Sequence, residues 1–183
     1  MAVKTFTANS VLTSSDTNAY LANSGLVYVK SQTVGNGVSS VAVSSAFSAD
    51  YDDYRVIYMS GTAAGASSLT FAFTGSSTGY YEAVTGTNYA GGAAAINESN
   101  ASTFSFAGIV TTNGNSLDLT LYGPFATRRT GMQISGRVDM RTDGAAFVGG
   151  GYHNVSASYT GFTIASGQAM TGGTIYVYGF RKA

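Results

Sequence analysis

The 183-residue chain contains no cysteine, which excludes a disulfide framework, a thiolate zinc site and a cysteine nucleophile together. Stability must then come from packing or assembly. Tryptophan is also missing, histidine occurs once, and proline occurs once, as Pro124. Charge is scarce as well: Asp, Glu, Lys and Arg make up 10% of the residues, against about 25% in an ordinary soluble domain. The formal net charge is zero, with no Lys/Arg cluster of the kind that meets a phosphate backbone, so nucleic acid is not an expected partner. No run approaches the roughly 18 apolar residues of a membrane span, and the start, Met1 to Phe6, lacks the apolar core of a secretory signal. The expectation is a soluble chain made in the cytoplasm, with no membrane partner and no export by the ordinary signal-peptide route.

What the chain has instead is 24 glycines, 13 tyrosines and an apolar fraction of 44%. That is enough apolar matter for a core. Short runs of aromatic and β-branched residues between glycine-rich turns favour strands over helices. After Gly25 the turn signals recur roughly every 8 to 15 residues. Strands are expected over 26–34, 38–43, 54–60, 68–74, 80–84, 103–110, 117–122, 132–141, 146–152, 158–164 and 174–181. Gly35-Asn36-Gly37 reads as a hairpin turn between the first two, and the Ala/Gly run 89–95 as a loop. Leu69, Phe71 and Phe73 alternate with small or polar residues, as do Leu117, Leu119 and Leu121. From Met132 onward, Met132, Ile134, Gly136, Val138 and Met140 share one face, and Gln133, Ser135, Arg137, Asp139 and Arg141 the other. With no helix between these strands, the fold is expected to be all-β: an antiparallel β-sandwich, most simply a jelly roll, over residues 25–183. No internal repeat marks a propeller or solenoid, and the strand order is not legible.

The last strand is unusual. Ile175 and Val177 point one way, and Tyr176, Tyr178 and Phe180 the other. Neither face is polar, so this strand is expected between two packed layers, or between one layer and a neighbouring subunit.

Residues 1–24 read differently, as an anchoring or oligomerisation arm. Ser14, Ser15 and Asp16 supply an N-cap and an acidic first turn, which predicts one short helix over about 15–23, closed by Ser24-Gly25. Two turns are marginal alone, so Phe6, Val11, Leu12, Tyr20 and Leu21 are expected to dock on other proteins or on sister subunits.

Enzymatic chemistry is thinly supported, and no catalytic, cofactor or metal residue is assigned. His153, flanked by Tyr152 and Asn154 after Gly149-Gly150-Gly151, reads as an outward loop histidine without a catalytic role. No Gly-x-Ser-x-Gly elbow presents a serine nucleophile. The only two glutamates, Glu82 and Glu98, are the pair that a glycoside hydrolase would need, but nothing in the sequence sets their separation. Asp50, Asp52 and Asp53 match no calcium loop and read as an acidic turn before a strand, with Asp52 or Asp53 near Arg55. The glycine clusters precede strands rather than helices, so they are turns and not phosphate cradles. Arg128-Arg129, the one adjacent arginine pair, is assigned to an interface in so charge-poor a chain. Tyr80, Tyr81, Tyr89, Tyr152, His153 and Asn154 are candidates for surface-binding loops, where tyrosines stack on sugars or pack at interfaces.

Ala8-Asn9-Ser10-Val11-Leu12-Thr13-Ser14-Ser15-Asp16-Thr17-Asn18 resembles the G-x-V-L-T-A-x-x-x-N leader of many tailed-bacteriophage tail, fibre and neck-associated proteins, with Asn9-Ser10 where that leader usually carries glycine. The body resembles a group of phage virion proteins through 26–34, through Phe47-Ser48-Ala49-Asp50-Tyr51-Asp52-Asp53-Tyr54-Arg55-Val56, and through the closing 171–179. The resemblance implies a β-rich, non-enzymatic structural protein of the virion surface, such as a head fibre, a capsid decoration protein or a tail-fibre part. It also implies a symmetric oligomer, expected to be a homotrimer, in contact with other virion proteins of capsid, neck or tail. The alternative is an adhesion module that recognises a bacterial surface glycan through loop tyrosines and asparagines.

Overall fold

The computed structural model describes Val11, Thr13, Ser14 and residues 25–138 and 144–181. The helix expected over 15–23, with Phe6, Leu12, Tyr20 and Leu21, lies outside the described residues, as does the 139–141 end of the strand expected from Met132.

Eight strands make the body. β1 (Leu26–Thr33), β13 (Thr174–Arg181), β3 (Tyr51–Met59) and β9 (Gly114–Tyr122) lie side by side in that order, while β2 (Asn36–Val43), β12 (Phe162–Thr171), β5 (Ser67–Phe73) and β8 (Phe104–Thr111) form a second row. A two-residue strand, β4 (Thr62–Ala63), adds to β12. All neighbouring pairs are antiparallel. Along the chain the eight strands fall in the first sheet, second, first, second, second, first, second, first. That alternation is the double Greek key of a jelly roll, and the antiparallel sandwich expected from the turn spacing is what forms.

The alternation patterns explain which face of each strand is inside. Leu69, Phe71 and Phe73 of β5, Leu117, Leu119 and Leu121 of β9, and Ile175 and Val177 of β13 are all buried against the opposite sheet. Fully burying one such side chain contributes about 1.5–3 kcal/mol. At one end the core is aromatic: Phe71 stacks on Phe162 with centroids 4.9 Å apart, and Phe73 stacks on Tyr159 at 4.5 Å. Tyr54 is also fully buried, and its hydroxyl has found a pair of partners, donating to Ser48 O at 2.9 Å and accepting Ser48 N–H at 2.7 Å.

Two hairpins are inserted into this plan. β6 (Tyr80–Asn88) and β7 (Ala93–Ala101) leave the chain between β5 and β8, and β10 (Arg128–Val138) and β11 (Ala145–Ala157) leave it between β9 and β12. The hairpins pair with each other through β11 and β6, and β10 pairs with β9, so the first sheet continues as β1-β13-β3-β9-β10-β11-β6-β7.

Four local expectations need correction. Gly35-Asn36-Gly37 does not close a hairpin: β1 pairs with β13 and β2 with β12, because the two strands belong to opposite sheets. Of the run 89–95 expected as a loop, 89–92 form the turn, whereas Ala93 to Ala95 open strand β7. The strand expected over 158–164 begins at Phe162 and runs to Thr171. Tyr159 and Thr160 are instead a linking segment, with the Ala46 N–H donating to Thr160 O at 2.7 Å. Gly149-Gly150-Gly151 lies inside β11, because a Cβ at Gly149 or Gly151 would lie 2.5 Å or 2.2 Å from a carbonyl oxygen of β6.

Candidate functional site

The long sheet has two faces with different chemistry. On the outer face, β13 presents Tyr176, Tyr178 and Phe180, and the register sets Tyr28 opposite Tyr178 and Leu26 opposite Phe180. Tyr28 meets Tyr178 edge-on at 6.1 Å, and Tyr178 stacks with Tyr176 at 6.4 Å. Leu26, Tyr28 and Phe180 are exposed, as are Tyr122 on β9 and Val148 and Tyr152 on β11. Cross-strand pairing therefore gathers apolar side chains from both ends of the sheet onto one solvent-facing surface. Ile175 and Val177 of the last strand seal the core while its other face looks out, so among the described residues no second layer covers that face.

In the middle of this surface Arg55 makes a bidentate pair with Asp118, Nε donating to Oδ1 at 2.7 Å and Nη2 to Oδ2. That bond, more than the opposing burial, holds the guanidinium still more firmly protonated than usual. The partner expected for Arg55 was Asp52 or Asp53. Asp118 wins because it lies one strand away on the same face, whereas Asp53 Oδ1 accepts the Gly123 N–H at 3.0 Å. Among the described residues no group of three His, Cys, Asp or Glu side chains is placed to hold a metal ion.

The arginine pair begins β10. Arg128 lies over Gly123, where a Cβ would meet its Nε at 2.6 Å, and the Arg129 guanidinium sits 5.8 Å from the Tyr152 ring centroid. Tyr152 in turn stacks on Tyr81, its register partner on β6, at 4.9 Å and an interplanar angle of 3°. Arg129, Tyr152 and Tyr81 form a cation–π–π ladder across three strands. Tyr152 is thus engaged by both neighbouring strands.

Tyr80 and His153 are not on the surface: both are fully buried, a correction that follows from β11 running on beyond the expected 146–152 and from Tyr80 facing inward at the start of β6. Tyr80 accepts the Phe73 N–H at 2.8 Å. His153 packs against Phe73, Tyr80 and Tyr159. Its Nε2 lies 2.8 Å from the Ser76 hydroxyl and 3.0 Å from Thr78 O; a carbonyl can only accept, so Nε2 carries the proton, and Nδ1 then accepts from the Tyr159 hydroxyl at 3.3 Å. Burial pushes its basicity below the ordinary imidazole value, against a smaller upward pull from Thr78 O. Asn154 and Tyr89 are exposed as expected, Tyr89 in the turn between β6 and β7, and Val11 of the arm is exposed too.

Glu82 and Glu98 are brought opposite each other on β6 and β7. Glu82 is nonetheless committed to the backbone. β8 bulges against β5 between Phe104 and Gly108, and the Glu82 carboxylate accepts the Ser105 N–H at 2.6 Å, the Phe106 N–H at 3.1 Å and the Ser105 hydroxyl. It holds down a bulge whose N–H groups would otherwise be orphaned. Burial raises its pKa above the usual carboxylate value, these donors pull it back down, and Glu98 pushes the same way as burial. Glu98 itself is exposed.

The inner face of the inserted hairpins carries a feature that the sequence reading missed. Reading across β10, β11, β6 and β7, the inward rows are Met132–Gly151–Glu82–Glu98, Ile134–Gly149–Val84–Ile96 and Gly136–Phe147–Gly86–Ala94. In the last row a single large side chain serves four strands. Phe147 lies between two glycines: a Cβ at Gly136 would be 2.4 Å from its ring, and one at Gly86 would be 2.8 Å from Ala146 O and 3.3 Å from the Phe147 Cβ. Phe106 of β8 meets Phe147 edge-on at 4.8 Å but roofs only part of the row. What remains is a cleft of about 850 Å³, floored by Val84, Ile96, Phe106, Ile109 and Phe147 and reaching the Thr112-Asn113 turn between β8 and β9. Strict register bookkeeping at Gly86 and Gly136 was the signal available in the sequence, and it needed the strand order.

No family model matches this chain, and neither a curated protein nor a solved structure matches it.

Proposed function

We propose that this chain is a non-enzymatic structural protein of a tailed-phage particle, displayed on the particle surface as a symmetric oligomer of three copies. The outer face of the long sheet is the surface on which copies meet. One observation carries the reading: Leu26, Tyr28, Tyr122 and Phe180 stand exposed on a single sheet face of a charge-poor protein. Aromatic residues are enriched at interface centres, the charges in the middle of this face, Arg55 and Asp118, are paired with each other, and soluble monomers seldom leave such patches bare. The arm of residues 1–24 then attaches the assembly to capsid, neck or tail, and Arg129 and Tyr152 border the contact. The resemblance of the leader and closing strand to phage virion proteins supports the particle as the setting.

Light scattering on the full chain should give the mass of three copies, and the double variant Tyr178→Glu, Phe180→Glu should give one copy with the same circular dichroism. A wild-type chain that stays a monomer at every concentration would sink the assembly reading. Immunogold labelling of the purified particles should decorate their surface, and bare particles would sink the location.

A further inference from the structure

The cleft beneath β6 and β7 has a lining that selects for a class of ligand. Among the described residues it is bordered by Thr, Asn, Gly, Ala and apolar side chains, and not one charged residue takes part. An ionised ligand would have to give up water there with no opposite charge to meet it, which costs several kcal/mol or more. A purely aliphatic ligand fits no better, because one side of the cleft is polar. Asn88 lines it, and its Oδ1 accepts the Gly92 N–H at 2.6 Å, which orients an amide that carries both an acceptor oxygen and an N–H₂ donor. The exposed Thr112 hydroxyl and Asn113 border the mouth. The floor supplies the parts of two phenylalanine rings that the core leaves uncovered, with Phe106 8% and Phe147 9% exposed.

Apolar rings on one side and neutral hydroxyl and amide groups on the other, with no charge among the described residues, are the chemistry that recognises an uncharged sugar: its C–H face packs on rings while its hydroxyls meet neutral donors and acceptors. The volume also suits it, within the few hundred to about 1,000 Å³ usual for small-ligand sites. We propose that this cleft binds a neutral saccharide. The site is separate from the outer aromatic face and does not depend on the assembly reading. It places sugar recognition away from Tyr80, which is fully buried.

The cleft can be filled without touching the core. Ala94 is exposed, lies on the cleft side of β7 and lines the cleft; its neighbour Ala95 points to the other side of the same strand. The full wild-type chain is applied to an array holding neutral glycans, sialylated and uronate-containing glycans, and an apolar fluorescent dye is titrated separately. Binding to one or more neutral glycans is expected, with affinity reduced about tenfold or more in Ala94→Trp and unchanged in Ala95→Trp. Thr112→Trp, at the opposite rim, should repeat the loss, so a folding defect in one variant does not decide the result. Binding restricted to acidic glycans would overturn the proposal, as would dye binding with no glycan bound, equal loss in both alanine variants, or no glycan bound at all.

Discussion

The body of the jelly roll and the two inserted hairpins share one sheet, yet they are packed by opposite rules. In the body each inward row is filled: Leu121, Tyr54 and Gly179 line up across β9, β3 and β13, with the Tyr51 ring lying over Gly179 in place of a side chain there. In the hairpins large and absent side chains alternate from strand to strand, and the second sheet covers only part of the face. The difference teaches that the same hydrogen-bonded ladder supports either a closed core or a binding-sized hollow, depending on how many neighbouring positions are glycine.

Truncating one phenylalanine in each region puts the largest strain on this comparison. Phe71→Ala, which removes a fully buried ring stacked on Phe162, should cost about 3–5 kcal/mol in urea unfolding. Phe147→Ala should cost less than half as much, because its surroundings already open on the cleft. Equal losses would show that the hairpins are packed as tightly as the body.

A smaller effect is expected from pH, and it sharpens the boundary where the two regions meet at His153. Its folded pKa lies below the ordinary 6.5, so the unfolded chain takes up protons first as pH falls. Stability should be full above about 6.5 and should decline as pH drops through the folded value. Glu82 acts the other way. Its pKa is raised from 4.5 in the folded state, so its contribution is largest below about 4.5 and is lost as pH rises through the folded value. Comparing denaturation midpoints of wild type and His153→Gln between pH 7 and pH 5 isolates the histidine: the wild-type decline should flatten in the variant. An unchanged decline would assign it elsewhere.

The smallest effect should come from the outer face. Arg55 and Asp118 are bidentate, but their side chains are 38% and 37% exposed, so Arg55→Ala should lower monomer stability by about 1 kcal/mol or less. A much larger loss would mean that the face is better shielded from water than its exposure indicates.

How much of this was legible in the sequence follows the same division. Body strands announced themselves because one face is always covered, so Leu69-Thr70-Phe71-Ala72-Phe73 has to alternate. β7 did not: Ala93-Ala94-Ala95-Ile96-Asn97-Glu98-Ser99-Asn100-Ala101 is exposed over nearly its whole length and carries no period to detect. The glycines of β11 read as a turn because their reason is the neighbouring backbone of β6, some 65 residues earlier in the chain. His153 was misplaced with them, since a residue two positions past three glycines looks like a loop until the strand is known to continue; Tyr80 opened an expected strand, and nothing local says which of its faces turns inward. Gly35-Asn36-Gly37 carried a true local turn signal, but local chemistry does not say which sheet the next strand joins. Glu82 offered nothing in sequence to separate a catalytic carboxylate from one that satisfies a bulge.

The pairing of Leu26 with Phe180 has a mechanical consequence. The two residues face each other at one end of the β1–β13 ladder, which runs from there to Thr33 and Thr174. A pull applied between them would load one hydrogen-bonded pair at a time and peel the ladder open like a zip, instead of shearing all its bonds together. A body tethered at both residues is therefore mechanically weak, whereas one held by a single end transmits no tension through this ladder.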